Sequence, residues 1–475
     1  MNSPDIAAQL QMQFSQMKQK QLADGIPDAA MRKDRLQRCI DLLVDNREAL
    51  AQALDEDFGG RSPNLSQMSE VMQGLAHYKH AMKNIEKWMK VEKRPAPFPM
   101  GLMGSRTEIR YQPKGVIGIM SPWNFPVAMV FNPLCNALAA GNRAMIKPSE
   151  FNPKTAELIR TLIEKYFSPD EVYVITGGAE VGAAFCSVPF DHLLFTGATS
   201  IGQKVMEAAA KNLTPVTLEL GGKSPIIIDK DYPIELAAER IISGKGMNAG
   251  QVCISPDYVF VPEAGLEAFI STCRENFVAQ FPTAIGNPDY TAVVNDRHYA
   301  RISGYIDEAK AAGVRVEAMG SEPLTEGDRR IPIHIIVNPA DELRCMQDEI
   351  FGPVMVVKTY NSEQDCIDYI NARPSPLAFY YFSNDKAKQD RVLNQTLSGG
   401  VTINNVTMHV SAYDLPFGGV GQSGIGHYHG IEGFKTFSHA RGVFRQGKID
   451  LAKLAGTLPP YTDKVKKMLD SQIKK

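Results

Sequence analysis

The sequence predicts an α/β protein built on two parallel sheets, with a small β arm beside them. Three observations carry this. From about residue 107 onward, short runs rich in β-branched and apolar residues alternate with helical stretches, the order that gives parallel sheets with helices on their faces. Before that point the apolar positions recur at intervals of three and four, the helical period. The length, 475 residues, suits roughly two to three domains.

Composition narrows the classes further. Hydrophobic residues at 44% and charged residues at 22% describe an ordinary globular chain. The formal net charge is −2 and no long basic run occurs, so neither nucleic acid nor an anionic membrane gains electrostatic support as a partner. Cys39, Cys135, Cys186, Cys253, Cys273, Cys345 and Cys366 are odd in number, scattered, and contain no C-x-x-C pair, which argues against a disulfide framework and against a zinc site. The most apolar longer segment, Val127 to Gly141, is broken by Asn132, Pro133 and Asn136 and falls short of about 20 apolar residues. Met1-Asn-Ser-Pro-Asp-Ile-Ala-Ala8 lacks the charged-then-apolar leader pattern. A cytoplasmic location is the expectation.

Residues from about Ile6 to Val91 read as helical, with Leu36, Ile40, Leu43 and Val44, then Val71, Leu75 and Tyr78, on the helical period. Their methionines are packing residues. Pro95, Pro97 and Pro99 mark a linker. Thr107 to Gln112 alternates and reads as an arm or edge strand that Pro113 ends. Strands follow at Gly115–Met120, Arg143–Ile146, Val172–Ile175, His192–Phe195 and Pro215–Glu219, with helices between them such as Thr155–Phe167. A second alternating region places strands near Ile226–Ile228, Tyr258–Val261, Ile333–Val337, Val354–Val357 and Phe379–Phe382. Helical patterns near Ile234–Ser243, Leu266–Ala279, Tyr299–Ala312 and Glu363–Asn371 lie between these. The tail from Lys448 reads as an exposed basic helix.

In parallel sheets ligands bind beyond the carboxyl ends of the strands, so the segments after each strand matter. They are Ser121-Pro-Trp-Asn-Phe-Pro126, Lys147-Pro-Ser-Glu150, Thr196-Gly-Ala-Thr-Ser-Ile-Gly202 and Leu220-Gly-Gly-Lys-Ser-Pro225. Gly197 and Gly202 are not a G-x-G-x-x-G fingerprint, and a plain strand-to-helix turn accounts for them as well as a phosphate cradle does. A lone cysteine such as Cys253 is more often a small hydrophobe than a nucleophile.

Together, however, Pro122-Trp-Asn-Phe-Pro126, Lys147-Pro-Ser-Glu150, Phe195-Thr-Gly197, Glu219-Leu-Gly-Gly-Lys-Ser-Pro225, Gly250-Gln-Val-Cys253, Glu349-Ile-Phe-Gly-Pro353 and Leu415-Pro-Phe-Gly-Gly-Val420 form an ordered set over nearly the whole chain. By these words it resembles the aldehyde dehydrogenase superfamily. Met247-Asn-Ala-Gly-Gln251 and Tyr428-His-Gly430 look like the class 3 branch, and within it the chain is similar to bacterial coniferyl aldehyde dehydrogenases.

The resemblance implies a Rossmann-like cofactor domain (residues 1–106 and 114–218), a second α/β catalytic domain (219–405), oligomerisation and bridging segments (107–113 and 406–447) and a tail (448–475). It implies NAD(P)-dependent oxidation of a small aldehyde to a carboxylic acid. Cys253 attacks the aldehyde, the Asn124 amide and the Cys253 N–H bind the oxyanion, and Glu219 activates the water that hydrolyses the thioester. Lys147 and Glu150 take the adenosine ribose, Gly197 to Gly202 faces the pyrophosphate, and Glu349 and Phe351 hold the nicotinamide side. Trp123 borders the cofactor or substrate channel, or wedges its loop. The Glu150 carboxylate favours NAD, with NADP as the second cofactor. Many relatives carry Ser where Ala198 stands, so one phosphate hydrogen bond is expected to be missing.

The resemblance also implies a homodimer, with Thr107–Gln112 and Gly433–Ser438 as contact segments. His427 and His429 look like a metal pair without partners, and no metal is expected. Val252 and Ile254, apolar neighbours of Cys253, are compatible with aromatic, coniferyl-type or medium-chain aldehydes. A CoA-acylating enzyme is the alternative within the fold, opposed by Glu219, and a non-catalytic scaffold is the alternative outside it. How Cys253 becomes a thiolate stays open between Glu219, Lys147 and NAD binding.

Overall fold

The structure, a computed structural model, describes residues 3–473 apart from Leu324 and Glu326. Among the described residues the strands form three sheets. The first runs in the order Gly424–Ile425, Val216–Glu219, His192–Thr196, Val116–Met120, Arg143–Lys147 and Val172–Val174. All its pairs are parallel except the first. Period-two alternation divides its side chains between two cores. Ile117, Ile119, Ala144, Ile146 and Leu194 join helices Ala128–Ala139 and Pro153–Tyr166 on one face. Val116, Met145, Leu193, Phe195 and Leu218 join the other face, under Leu10, Phe14 and Met17 of helix Ser3–Asp24. The N-terminal helical region is therefore split across the sheet, because Ala29–Asp45, Arg47–Phe58 and Gln73–Trp88 pack on the opposite side, with Ala128–Ala139.

The second sheet orders Arg315–Ala318, His334–Val337, Val354–Tyr360, Pro256–Pro262, Ser224–Ile228, Ala378–Phe382 and Gly400–Ile403. It is parallel apart from the antiparallel first pair. The five expected strands are all present. The outermost two were not anticipated, because each is four residues long and carries Arg and Glu or a Gly where an apolar run would betray it. Helix Lys386–Gln395 was also missed, since only Val392 of its ten residues is buried and no apolar stripe marks it.

Two further expectations need correcting, and a third segment takes a form the sequence left open. Strand Arg106–Pro113 is not an edge: it is the centre of a three-stranded antiparallel sheet, between Glu92–Arg94 and Ser438–Arg445. Gly433–Ser438, the other candidate contact segment, lies at the end of a helix. Gly430–Thr436 is helical, and Phe434 and Phe437 are buried inside the subunit, where Phe434 packs against Trp88 and Tyr111. Their three-residue spacing was a helical signal. The tail is not one helix but two short ones, Leu451–Ala455 and Asp463–Gln472, the first stopped at left-handed Gly456. Among the described residues no helix is long and apolar enough to cross a membrane.

Candidate active site

The strands of the first sheet run parallel and end side by side, with Met120 opposite Lys147 and Phe195, and Thr196 opposite Glu219. The four loops singled out in the sequence therefore leave from one edge. Cys253 reaches that edge from the second sheet's side. Helix Ile234–Gly246 ends at residue 246, and Asn248, Ala249 and Gly250 then turn through three successive left-handed conformations (φ 49, 50 and 71°). Such conformations are costly for non-glycine residues and persist only where the surroundings enforce them. Gly250 is needed for a second reason, because a Cβ there would lie 2.3 Å from the Gly352 carbonyl oxygen.

Side-chain amides enforce the turn. Gln251 Nε2 donates to the carbonyls of Asn248 (3.0 Å) and Ala292 (3.1 Å), and its Oε1 accepts from the Val294 N–H (3.0 Å). Asn248 Nδ2 donates to the carbonyls of Asn124 (3.2 Å) and Gln251 (3.1 Å). Asn124 Nδ2 donates to the same Gln251 carbonyl at 3.1 Å. Asn124 and the Cys253 segment, 129 positions apart in the sequence (124 to 253), are thereby locked to each other. The second N–H of the Asn124 amide remains for a ligand.

The electrostatics are those of a dry site crowded with acids. Glu219 is 2% exposed, and neither carboxyl oxygen has a hydrogen-bond partner among the described residues. Burial raises its pKa well above the usual carboxylate range. Cys253 keeps some exposed surface, yet its thiol is pushed up to about 12, first by desolvation, then by Glu349 and Glu219, against the pull of the Cys253 and Ile254 N–H groups. Glu349 is raised to about 8 by desolvation, with the Gly222 N–H pulling the other way. Its carboxylate lies against Gly221, where any Cβ would collide with it. Phe351, itself left-handed (φ 45°), meets Trp123 edge-on at 5.3 Å, and Trp123 also packs against Phe58 and His298.

Lys147 is engaged elsewhere. Its Nζ donates to the Pro148 carbonyl (3.0 Å) and to Glu150 (3.1 Å), and its charge bears on Cys186. Val252 and Ile254 are buried in the core, 6% and 1% exposed, so their apolar character belongs to packing and does not describe a substrate channel. His427 is exposed and lies 3.7 Å from Glu432, whereas His429 is buried against His77 and Phe417, so the two do not face one site. Among the described residues no group of three or more His, Cys, Asp or Glu is arranged to hold a metal ion.

Comparison with known proteins identifies this arrangement. Residues 8–443 match the aldehyde dehydrogenase family. The chain belongs to that family. Its sequence is 49% identical over 466 residues to a probable coniferyl aldehyde dehydrogenase of Caulobacter vibrioides, covering 97% of this chain and 96% of that one. It is 43% identical over 460 residues to a coniferyl aldehyde dehydrogenase of a Pseudomonas species, covering 96% and 95%. The substrate-bound structure of a Staphylococcus aureus AldH superposes with a TM-score of 0.90 at 34% identity, over 97% of this chain and 98% of that one. The protein is an NAD(P)-dependent aldehyde dehydrogenase.

The residues of this aldehyde dehydrogenase fit a dinucleotide. Helix Thr199–Ala210 opens at Ala198, which offers no side chain to the first turn, and the Thr199 hydroxyl donates elsewhere, to the Gln422 carbonyl. The Thr199 and Ser200 N–H groups are thus left for a phosphate, those of Ile201 and Gly202 being bonded to the Ala198 carbonyl. Gly202 serves packing, because a Cβ there would meet Leu220 at 2.6 Å.

Two buried groups beside the site escaped the sequence. Tyr428 is fully buried and feels the charges of Glu219 and Cys253. Lys245 donates to the Pro256 carbonyl at 2.8 Å, and burial lowers its pKa to about 7. Tyr428 figured in the sequence only within the family-like Tyr428-His-Gly430 and Lys245 has no local signal; the fold brings Tyr428 within reach of the Glu219 and Cys253 charges and Lys245 within reach of that of Glu349.

Glu349 gives the site a pH signature. Its pKa is about 8 in the folded chain against 4.5 for a free carboxyl, so across that window the native state holds a proton the unfolded chain has released, and stability falls as pH rises. Below pH 4.5 this contribution is intact. Thermal unfolding of Glu349→Gln should therefore gain on wild type as pH rises from 4.5 to about 8. A difference in Tm that does not change across that range would contradict the shift.

Proposed function

We propose that Cys253 is the nucleophile, Glu219 the base and Asn124 an oxyanion donor in the oxidation of an aromatic, coniferyl-type aldehyde to its acid. The observation that carries the reading is a buried carboxyl with no hydrogen-bond partner, Glu219, close enough to raise the pKa of the Cys253 thiol. A carboxyl whose pKa is raised holds a proton well and is a stronger base when ionised, as general-base catalysis requires.

In this reading Glu219 takes the thiol proton as sulfur bonds to the carbonyl carbon. The oxygen gains charge and is met by the spare Asn124 N–H. NAD(P), when bound, supplies the acceptor for the hydride that leaves this carbon. The carbonyl re-forms as a thioester on Cys253. Glu219, after releasing its proton, takes one from water; the water oxygen bonds to carbon, the carbon–sulfur bond breaks, sulfur takes the proton back from Glu219, and the acid departs. Lys147 and Glu150 serve the adenosine ribose, the first turn after Ala198 the pyrophosphate, and Glu349, Phe351 and Trp123 the nicotinamide end. An acid at Glu150 disfavours an added 2′-phosphate, so NAD is the preferred cofactor. The coniferyl assignment is supported by the Caulobacter and Pseudomonas relatives.

Glu219→Gln should retain one burst of reduced cofactor per site while steady turnover falls by about 10²- to 10⁴-fold; normal steady-state turnover would remove Glu219 from the mechanism. For wild type, kcat/KM should be highest for coniferyl aldehyde among coniferyl aldehyde, benzaldehyde and hexanal, and higher with NAD than with NADP. A clear preference for hexanal would refute the substrate assignment, and equal efficiency with both cofactors the role of Glu150.

A further inference from the structure

A fully buried ion pair lies outside the residues discussed so far and touches the Asn124 loop on both sides. Arg61 and Glu70 are each 0% exposed, with Arg61 Nη2 and Glu70 Oε1 2.9 Å apart. Arg61 Nη1 donates to the Asn124 carbonyl at 2.9 Å, the same oxygen that accepts from Asn248. The guanidinium also stacks over Phe125, the next residue of the loop, and over Phe58, at 5.0 and 4.8 Å from the ring centroids. Glu70 Oε2 accepts from the N–H groups of Val127 (2.9 Å) and Ala128 (2.8 Å), where helix Ala128–Ala139 begins.

The pair thus grips the loop's centre with one partner and its exit with the other. Burying an ion pair is seldom the stable choice, because desolvation offsets the attraction, and a well-packed apolar pair does as well or better. Glu70 moreover sits on a π-helical turn, Gln67–Met72, a geometry that recurs at functional sites and is poor for helix stability. Stability alone gives no reason for either feature. Placement of Asn124 does.

We infer that Arg61 and Glu70 are positioning residues for the Asn124 amide, holding its backbone so that Nδ2 stays beside Cys253 as charge develops on the substrate oxygen. The inference rests on the reading of Asn124 as an oxyanion donor. Arg61 touches no reacting atom and acts only through Asn124. Its effect must therefore vanish when the Asn124 amide is gone.

That condition is the test, read in full-length enzyme with NAD and saturating coniferyl aldehyde as the pre-steady-state burst of reduced cofactor. The amplitude counts competent sites and the rate constant reports the chemistry. Asn124→Ala should slow the burst about 10²- to 10³-fold. Arg61→Met should slow it on the order of 10²-fold, at normal amplitude per folded site and unchanged Kd for NAD. Arg61→Lys, which keeps a donor and a charge, should recover part of the loss. Adding Arg61→Met to Asn124→Ala should slow the burst no further.

A purely structural pair would instead lower the amplitude or the melting temperature and leave the rate constant alone, and either that outcome or full additivity overturns the inference. An unchanged burst in Asn124→Ala would mean that the oxyanion reading itself has failed. If Arg61→Met does not fold, Glu70→Gln and Arg61→Lys carry the same cycle against Asn124→Ala, and a rate constant equal to wild type in both overturns it equally.

Discussion

The Cys253 thiol shares its site with two carboxyl groups, Glu219 and Glu349, and the protonation of these three groups sets the conditions under which every other part must work. Burial disfavours each charged form through desolvation, and the thiolate is disfavoured further by the charges of Glu349 and Glu219. A resting thiolate is disfavoured on both counts. Lys147 offers no relief, being held by Glu150 and Pro148. What remains is a thiol that ionises only as a base beside it takes the proton, or when a positive charge enters the site. The oxidised nicotinamide ring carries such a charge.

Geometry is held as firmly as charge. The left-handed turn at Asn248 to Gly250 would relax if left to itself, and three amide side chains pin it to the Asn124 loop and to Ala292 and Val294. On the far side of that loop stand Arg61 and Glu70. The Cys253 segment from one sheet and the Asn124 amide from the other are thus fixed through the backbone oxygens of Gln251 and Asn124, and the N-terminal helices take part in the site although they lie far from it in sequence.

What the sequence made legible was local. Cys253, Glu219 and Asn124 stood out because each sits in a short word with its own glycine or proline framing, and the central strands stood out because both of their faces are buried. The strands at the margins of the second sheet stayed hidden, being short and half polar. The same limit applied to Arg61, which meets Asn124 across 63 positions, and to Tyr428 and Lys245, whose meaning comes from burial. An isolated Arg or Glu in a helical region reads as a solvated face, and no periodicity reveals that it is dry. Phe434 and Phe437 show the converse, a three-residue spacing that does report the helix they lie on and at the end of which they are buried.

The charge state of Cys253 can be measured directly. Its six fellow cysteines are buried and Cys253 keeps the most accessible surface of the seven, so iodoacetamide should alkylate it preferentially, and the rate follows the thiolate fraction. In the cofactor-free enzyme the apparent pKa of alkylation should lie far above the roughly 8.5 of a free thiol, and saturation with NAD should bring it down. An apparent pKa at or below neutrality without cofactor would contradict the account, because the thiolate would then be stable beside Glu219 and Glu349 with no help.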